Sequence, residues 1–271
     1  MSRLTNFWKL VQNENMKIYL RLRTWIMLGI LVLIPILLTV GLSLISEDND
    51  GNMWELMGTE TIILFSLITI FTVVISAESV AGEFSAGTIK LLLIRPWSRS
   101  SILTSKYIAL LLFSILQSVI TFVITWAINA LVFGYTSDAG SIIPQGSPME
   151  GHSIWAYMGM HYLYEWLQLV VIVTFAFMLS SAFRSSGLAI GLSIFLLFAG
   201  SMITGLLSLT EKAWVKYVLF ANLDLTTYLD GGSPLPNMDM TLGFSLAVLA
   251  AYFIIFNVIS WTVFRKRDVA A

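Results

Sequence analysis

Few side chains in this sequence are of the kinds that carry out covalent chemistry. The 271 residues include no cysteine, and the only histidines are His152 and His161. These two lie nine positions apart in an aromatic stretch, without the i, i+4 spacing and the acidic partner of a helical zinc site. The lack of cysteine also excludes disulfides, thiolate metal ligands and cysteine nucleophiles. We therefore predict no catalytic residue, no metal site and no cofactor bound by this chain itself.

A phosphate-binding loop is also absent from the sequence. No lysine is followed by serine or threonine, so the motif Gly-x-x-x-x-Gly-Lys-Ser/Thr does not occur. If ATP drives the function of this chain, a separate subunit must hydrolyse it.

Four polar side chains within or near long apolar runs are candidates for contact with a transported substrate: Asn129, Glu165, Gln168 and Asn257. Polar groups inside a membrane often mark a substrate path. Hydrogen bonding between helices is the alternative role for the amide side chains.

The elements that carry these residues are six long apolar runs in a chain that is 57% hydrophobic and 11% charged. Each run is long enough for a helix to cross about 30 Å of hydrocarbon. The sequence thus predicts an all-α, polytopic membrane protein with one transmembrane domain, 1–271, and spans at 24–46, 61–77, 103–135, 163–183, 186–209 and 241–264.

The basic residues predict the orientation of these spans. Thirteen of the fifteen lie on one side and only Lys212 and Lys216 on the other, and such a Lys/Arg bias marks the cytoplasmic side. Both termini are therefore expected in the cytoplasm, and acidic residues such as Glu60 in the outer loops. The basic residues serve topology and contact with lipid headgroups, so no nucleic-acid partner is predicted.

Two flanking segments differ from plain loops. Apolar residues recur at helical spacing in Arg3–Leu20, which predicts an amphipathic helix along the inner membrane surface, within a basic flank at 1–23. A simple basic flank is the alternative. Ala213–Leu229 is too apolar for a free loop and is expected to dip into the outer leaflet as a short re-entrant helix. Gly187 and Gly191 form a small-xxx-small pair, for packing within the bundle or against a second subunit.

The inner segment 78–101 stays apolar outside the membrane. It begins with the acidic pair Glu78 and Glu83, and Gly87-Thr88 then permits a break before a short helix, Ile89–Ile94, that Pro96 ends. Thr88 is expected to cap the short helix, and Ser98 the third span. An exposed apolar surface of this kind suits a cytosolic partner; an interfacial helix without a partner is the alternative.

At this segment the chain resembles the membrane subunits of ABC type-2 transporters, the exporter permeases whose ATPase is a separate chain. The resemblance rests on the acidic pair, Gly-Thr, the leucine-rich run, and Pro96-Trp-Ser-Arg99, and extends to the six-span layout and the basic ending Phe264–Arg267. It implies a coupling helix that contacts the ATPase, and a second contact at Ala182–Ser186. The positions implied are Glu78, Glu83, Phe84, Gly87, Thr88, Ile89, Leu92, Arg95, Pro96, Arg99 and Arg184.

The resemblance further implies a transport subunit of the bacterial plasma membrane that is not itself an enzyme. Its partners would be two ATP-binding subunits, which carry ATP and Mg²⁺, a second permease subunit, identical or related, and membrane lipids. The cargo would be an amphipathic or hydrophobic compound such as an antimicrobial peptide, a drug or a lipid. An ATP-independent secondary transporter and an intramembrane lipid-modifying enzyme are the alternatives.

Overall fold

A computed structural model of the chain describes residues 3–45, 52–93, 97–137, 142–210, 212–235 and 238–267. These residues form helices and connecting turns, with no β-strand among them. The predicted all-α class is therefore confirmed. The helices are α1 (Arg3–Tyr19), α2 (Leu22–Ile45), α3 (Met53–Ser85), α4 (Ile89–Leu93), α5 (Arg99–Phe133), α6 (Ile154–Ala182), α7 (Ser186–Ser208) and α8 (Leu242–Lys266).

Six of these helices, α2, α3 and α5 to α8, are long and apolar enough to cross a membrane. The mean hydropathy of their most apolar windows lies between 1.7 and 2.6. Hydrogen bonding within each helix satisfies the backbone groups, which hydrocarbon cannot do. The predicted number of spanning helices is thus confirmed.

Helix α3 lies at the centre of the bundle and packs against α2, α5, α6 and α7. Helices α3 and α6 are the most buried, whereas α2, α7 and α8 are the least buried. Their exposed residues are largely apolar, for example Leu37 on α2, Phe195 on α7 and Ile254 on α8. Such faces are suited to lipid.

Helix α3 begins well before the apolar run that predicted it. Asn52 caps it, with a side chain that accepts a hydrogen bond of 2.9 Å from the amide of Trp54. Glu60 therefore lies within the helix and is only 1% exposed. Its predicted place in an outer loop was wrong, because the cap starts the helix among polar residues that hydropathy assigns to a loop.

The amino-terminal segment is a helix whose apolar side partly faces the protein. Leu10 and Val11 of α1 are buried, and Leu10 packs with Ile102 of α5 and with Trp97. Trp8 and Met16 are exposed. Helix α1 is therefore anchored to the bundle rather than separate from it.

The apolar segment before α8 contains three 3-10 turns, Val215–Tyr217, Leu219–Asn222 and Thr226–Tyr228, instead of one short helix. The Asn222 amide donates to the carbonyl oxygens of Lys216 and Val218. Such side-chain bonds to the backbone compete with continuous helix formation.

Candidate functional site

The candidate site is the junction where α3 ends and α4 begins. Helix α3 stops at Ser85, and Gly87 turns the chain with a φ of +69°, a conformation that favours glycine. Helix α4 follows with five residues, Ile89–Leu93. Arg95 and Pro96, and with them the predicted end of this helix, lie outside the described residues. Ser98 caps α5 as predicted, with its hydroxyl oxygen 3.1 Å from the amide of Ser101.

Glu83, in the last turn of α3, belongs to a closed ring of four charged side chains. Lys17 of α1 contacts Glu14 at 2.9 Å and Glu83 at 2.7 Å. Lys106 of α5 contacts Glu14 at 2.7 Å and Glu83 at 3.2 Å. Two lysines and two glutamates thus alternate around the ring, which joins α1, α3 and α5 without net charge.

The ring changes the role expected for Lys106. The sequence predicted contact with lipid headgroups for the basic residues as a group, but the Lys106 side chain is 3% exposed and lies inside the protein. A buried ammonium group is tolerated here because two carboxylates surround it.

Lys17 is the more exposed lysine of the ring. Partial burial alone would lower its pKa, but the carboxylates of Glu14 and Glu83 outweigh burial and raise the pKa above the usual 10.5. Its stabilising contribution therefore persists at neutral pH and is lost only as pH rises through this raised pKa.

Glu78, one turn earlier on α3, binds the start of α2. Its carboxylate lies 2.6 Å from the guanidinium of Arg21 and also contacts Arg23. A pocket of about 300 Å³ lies between these charges and the ring. Both acids of the predicted pair therefore bind bases of the amino-terminal region.

The three consecutive residues that end α3 each contact different elements. Glu83 belongs to the ring, and the Thr88 hydroxyl donates to its carboxylate, so Thr88 contacts α3. The Phe84 ring stacks on the guanidinium of Arg267, with 4.4 Å between ring centroid and guanidinium carbon. The Ser85 hydroxyl donates to the carbonyl oxygen of Arg184 at 3.1 Å.

Arg267, just after α8, also binds the end of α6. Its guanidinium donates to the carbonyl oxygens of Ser181 at 2.7 Å and Ala182 at 3.2 Å. Burial and the neighbouring Arg184 lower the pKa of Arg267 from its usual 12.5. Arg99, the first residue of α5, donates to the carbonyl oxygens of Arg265 and Arg267 at 3.0 and 2.8 Å. The end of α8 is thus tied to α3, α5 and α6.

Helix α4 itself presents a smaller apolar surface than the sequence predicted. Ile89 is 5% exposed and packs into the core, so its expected exposure was wrong. Leu91 is 68% exposed, next to the exposed Lys90. Leu92 lies in α4, but its side chain is outside the described residues. Leu91 is therefore the apolar side chain that the described part of α4 offers to a partner.

The polar residues proposed for a substrate path lie in three separate places. Asn129 is fully buried and donates a hydrogen bond of 2.7 Å to Glu60, a residue that sequence reasoning missed. Glu165 accepts a hydrogen bond from Gln168 on the same helix. Asn257 donates to the carbonyl oxygen of Phe253 in its own helix. The structure thus gives Asn129 an acidic partner on another helix.

The sequence of this chain also matches a protein family. A family described as "Protein of unknown function (DUF2705)" matches residues 33–270. The chain belongs to the DUF2705 family. The matched part of this DUF2705 chain includes the end of α3 and the segment that follows.

Two relatives from Bacillus subtilis (strain 168) resemble this DUF2705 chain along most of its length. The uncharacterized protein YhcI is 41% identical over 230 residues, which cover 83% of this chain and 72% of YhcI. The uncharacterized membrane protein YdbK is 34% identical over 203 residues, 75% of this chain and 78% of YdbK. Six apolar helices and a relative named as a membrane protein together identify this chain as a multi-pass membrane protein.

Proposed function

We propose that this chain is the membrane subunit of an ATP-binding cassette exporter whose ATPase is a separate protein. The observation that carries the proposal is the junction at the end of α3. There, Glu83, Phe84 and Ser85 link the base of α4 to α1, to α5, to the residue after α8 and to the turn between α6 and α7. Force applied to α4 would reach all of these elements at once.

This arrangement fits a subunit that is moved from outside. Packed helices respond to a local displacement as rigid bodies, so a push on a short protruding helix is conveyed along the spans. In this proposal, Leu91 is the exposed anchor of the coupling helix. The exposed turn at Arg184, whose carbonyl oxygen binds Ser85, is the second contact for the same partner.

The proposal includes an orientation and a set of partners. The junction faces the cytoplasm of a bacterial cell, at the plasma membrane, with α1 at the inner surface and the 3-10 segment in the outer leaflet. Two ATPase subunits, which bind ATP and Mg²⁺, act on two permease subunits, identical or related. The cargo is an amphipathic or hydrophobic compound such as an antimicrobial peptide, a drug or a lipid.

Two glycines on α7 support the proposal of a second permease subunit. Nothing within the described residues lies within 4 Å of a Cβ placed at Gly187 or Gly191. Packing within the described part of this chain therefore does not account for the small-xxx-small pair, which leaves the pair open to contact with another subunit.

Copurification tests the proposal. A tagged chain, solubilised from its own cells, should bring down an ATP-binding protein. Leu91→Glu should reduce the retained ATPase to less than about a tenth, because a charge buried in an apolar interface costs several kcal/mol. Leu91→Met, which keeps the site apolar, is the matched control.

The two alternatives predict other results. A secondary transporter or a lipid-modifying enzyme would bring down no ATP-binding protein with either variant. Equal recovery of the ATPase with Leu91→Glu and Leu91→Met, at equal amounts in the membrane fraction, would remove α4 as the coupling helix.

A further inference from the structure

The strongest feature that the proposed function leaves unused is Glu60, a carboxyl group inside the bundle. It lies on α3, 1% exposed, where three helices meet. One carboxyl oxygen accepts from the Thr39 hydroxyl of α2 at 2.6 Å, and the other accepts from the Asn129 amide of α5 at 2.7 Å. None of the ion pairs among the described residues includes Glu60. An intramembrane acid without a basic partner is a functional candidate.

The surroundings of Glu60 have more acceptors than donors. The Asn129 amide nitrogen donates both to Glu60 and to the carbonyl oxygen of Thr125, at 2.9 Å. This fixes the amide and leaves its oxygen, which is buried, without a partner among the described residues. A carboxylate can accept about four hydrogen bonds in total. A cationic group that donates several hydrogen bonds would therefore complement these surroundings.

An apolar groove lies between two of the neighbouring helices. It holds about 420 Å³ between α5 and α6, and its walls are almost entirely apolar. Phe122, Gly159, Tyr162, Leu163 and Trp166 contribute to its lining.

Tyr162 lines the groove and also contacts the residue next to Glu60. Its hydroxyl is 3.0 Å from that of Thr61, the residue after Glu60, and 3.3 Å from that of Thr125. Its ring packs edge to face against Phe65 and Phe122, with centroids 5.3 and 4.9 Å away. Aromatic faces attract cations. Access from the groove to Glu60 would require Tyr162 to rotate.

We propose that the groove and Glu60 form a binding site for an amphipathic cation, whose apolar chain lies between α5 and α6 and whose ammonium or guanidinium group binds the Glu60 carboxylate past Tyr162. The inference rests on the proposed function and deepens it, since it names cationic amphipaths as the class of cargo. Charge complementarity distinguishes this occupant from an acyl chain of the bilayer, which needs the groove alone.

A photolabelling experiment on the full-length chain in phosphatidylcholine nanodiscs tests the site. The probes are a diazirine-bearing primary amine, tetradecylammonium, and the tetradecyl alcohol with the same diazirine. The ammonium probe should label peptides of α5 and α6 about tenfold more than the alcohol, which corresponds to about 1.4 kcal/mol of charge recognition. Unlabelled tetradecylammonium should compete, and tetradecyl sulfate should not.

Two variants test the Glu60 carboxylate and the apolar groove separately. Glu60→Gln should remove the preference for the ammonium probe, while Glu55→Gln, on the exposed side of the same helix, should keep it. Gly159→Leu should reduce labelling by both probes, because it fills the groove at a position with no atom within 4 Å of the added Cβ.

Equal labelling by the two probes in the wild-type chain would overturn the inference and leave a groove that holds bilayer lipid only. This outcome does not depend on the folding of any variant. The assay contains no ATPase, so it also leaves the copurification test of the proposed function unaffected.

Discussion

At the residue scale, the ring of Glu14, Lys17, Glu83 and Lys106 contains two different kinds of ion pair. Lys106 and Glu14 are almost completely buried, whereas the Lys17 side chain is 37% exposed. Removal of one partner from a buried pair leaves an uncompensated charge in a poorly solvated place. An exposed pair is worth much less, because water solvates the remaining partner.

Lys106→Met should therefore destabilise the protein far more than Lys17→Met. We expect losses of about 3–5 kcal/mol for Lys106→Met and of about 1 kcal/mol or less for Lys17→Met. The free energy of unfolding in mixed detergent micelles measures both. A matching double variant, Glu14→Leu with Lys106→Met, should recover part of the loss, since it removes the stranded carboxylate as well. Equal losses for the two single variants would contradict the assigned burial.

The sequence predicted the acids of this site but not their partners. Glu78 and Glu83 stand out because they border an apolar run and are close together. Lys106 lies 23 positions after Glu83, and Glu14 lies 92 positions before Lys106. No local spacing rule relates such residues. A hydropathy scale also assigns the same value to a buried, paired lysine as to an exposed lysine. Glu60 was missed for the same reason.

At the element scale, local signals were reliable where one turn of chain decides the structure. The cap of α5 at Ser98 and the break at Gly87 follow from residue types alone. The contacts of Arg267 with Phe84 and with the end of α6 depend on how α8 packs, which residue types do not determine. The sequence therefore indicated α4 but not the elements that hold its base.

Arg267→Ala should loosen the turn between α6 and α7. This turn would then be held mainly by the Ser85 hydroxyl, which accepts from the amide of Ser186 at 2.9 Å. Loss of about 1 kcal/mol of hydrogen bonding should speed amide exchange at Phe183–Ser186 roughly fivefold. Hydrogen–deuterium exchange of the chain in nanodiscs measures this rate.

Two further variants test whether the charge of Arg267 or its hydrogen-bonding geometry slows amide exchange in this turn. Arg267→Lys keeps the charge but loses the planar fork that reaches several carbonyl oxygens, so it should resemble Arg267→Ala. Lys266→Ala, at the exposed neighbouring position, should leave exchange unchanged. If Arg267→Lys exchanged like the wild type, charge rather than geometry would hold the turn.

At the scale of the whole molecule, the class of the fold was the most predictable feature. Long apolar runs leave few alternatives to spanning helices, because lipid does not satisfy a bare backbone. The lengths of those helices were less predictable. Helix α3 has 33 residues, since polar residues at both of its ends remain helical where they meet protein partners. Hydropathy therefore gave the number of spans better than their limits.

The orientation of the bundle determines whether the α3–α4 junction can meet a cytosolic ATPase, and the chain is well suited to a direct test. Because the sequence has no cysteine, a single introduced cysteine is the only thiol. Lys90→Cys in α4 and His152→Cys before α6 both replace exposed residues. With the basic residues inside, a membrane-impermeant maleimide should label the cysteine at 152 in intact cells. The cysteine at 90 should react only after permeabilisation. The opposite pattern would place the junction outside the cell and exclude a cytosolic ATPase as the protein that acts on α4.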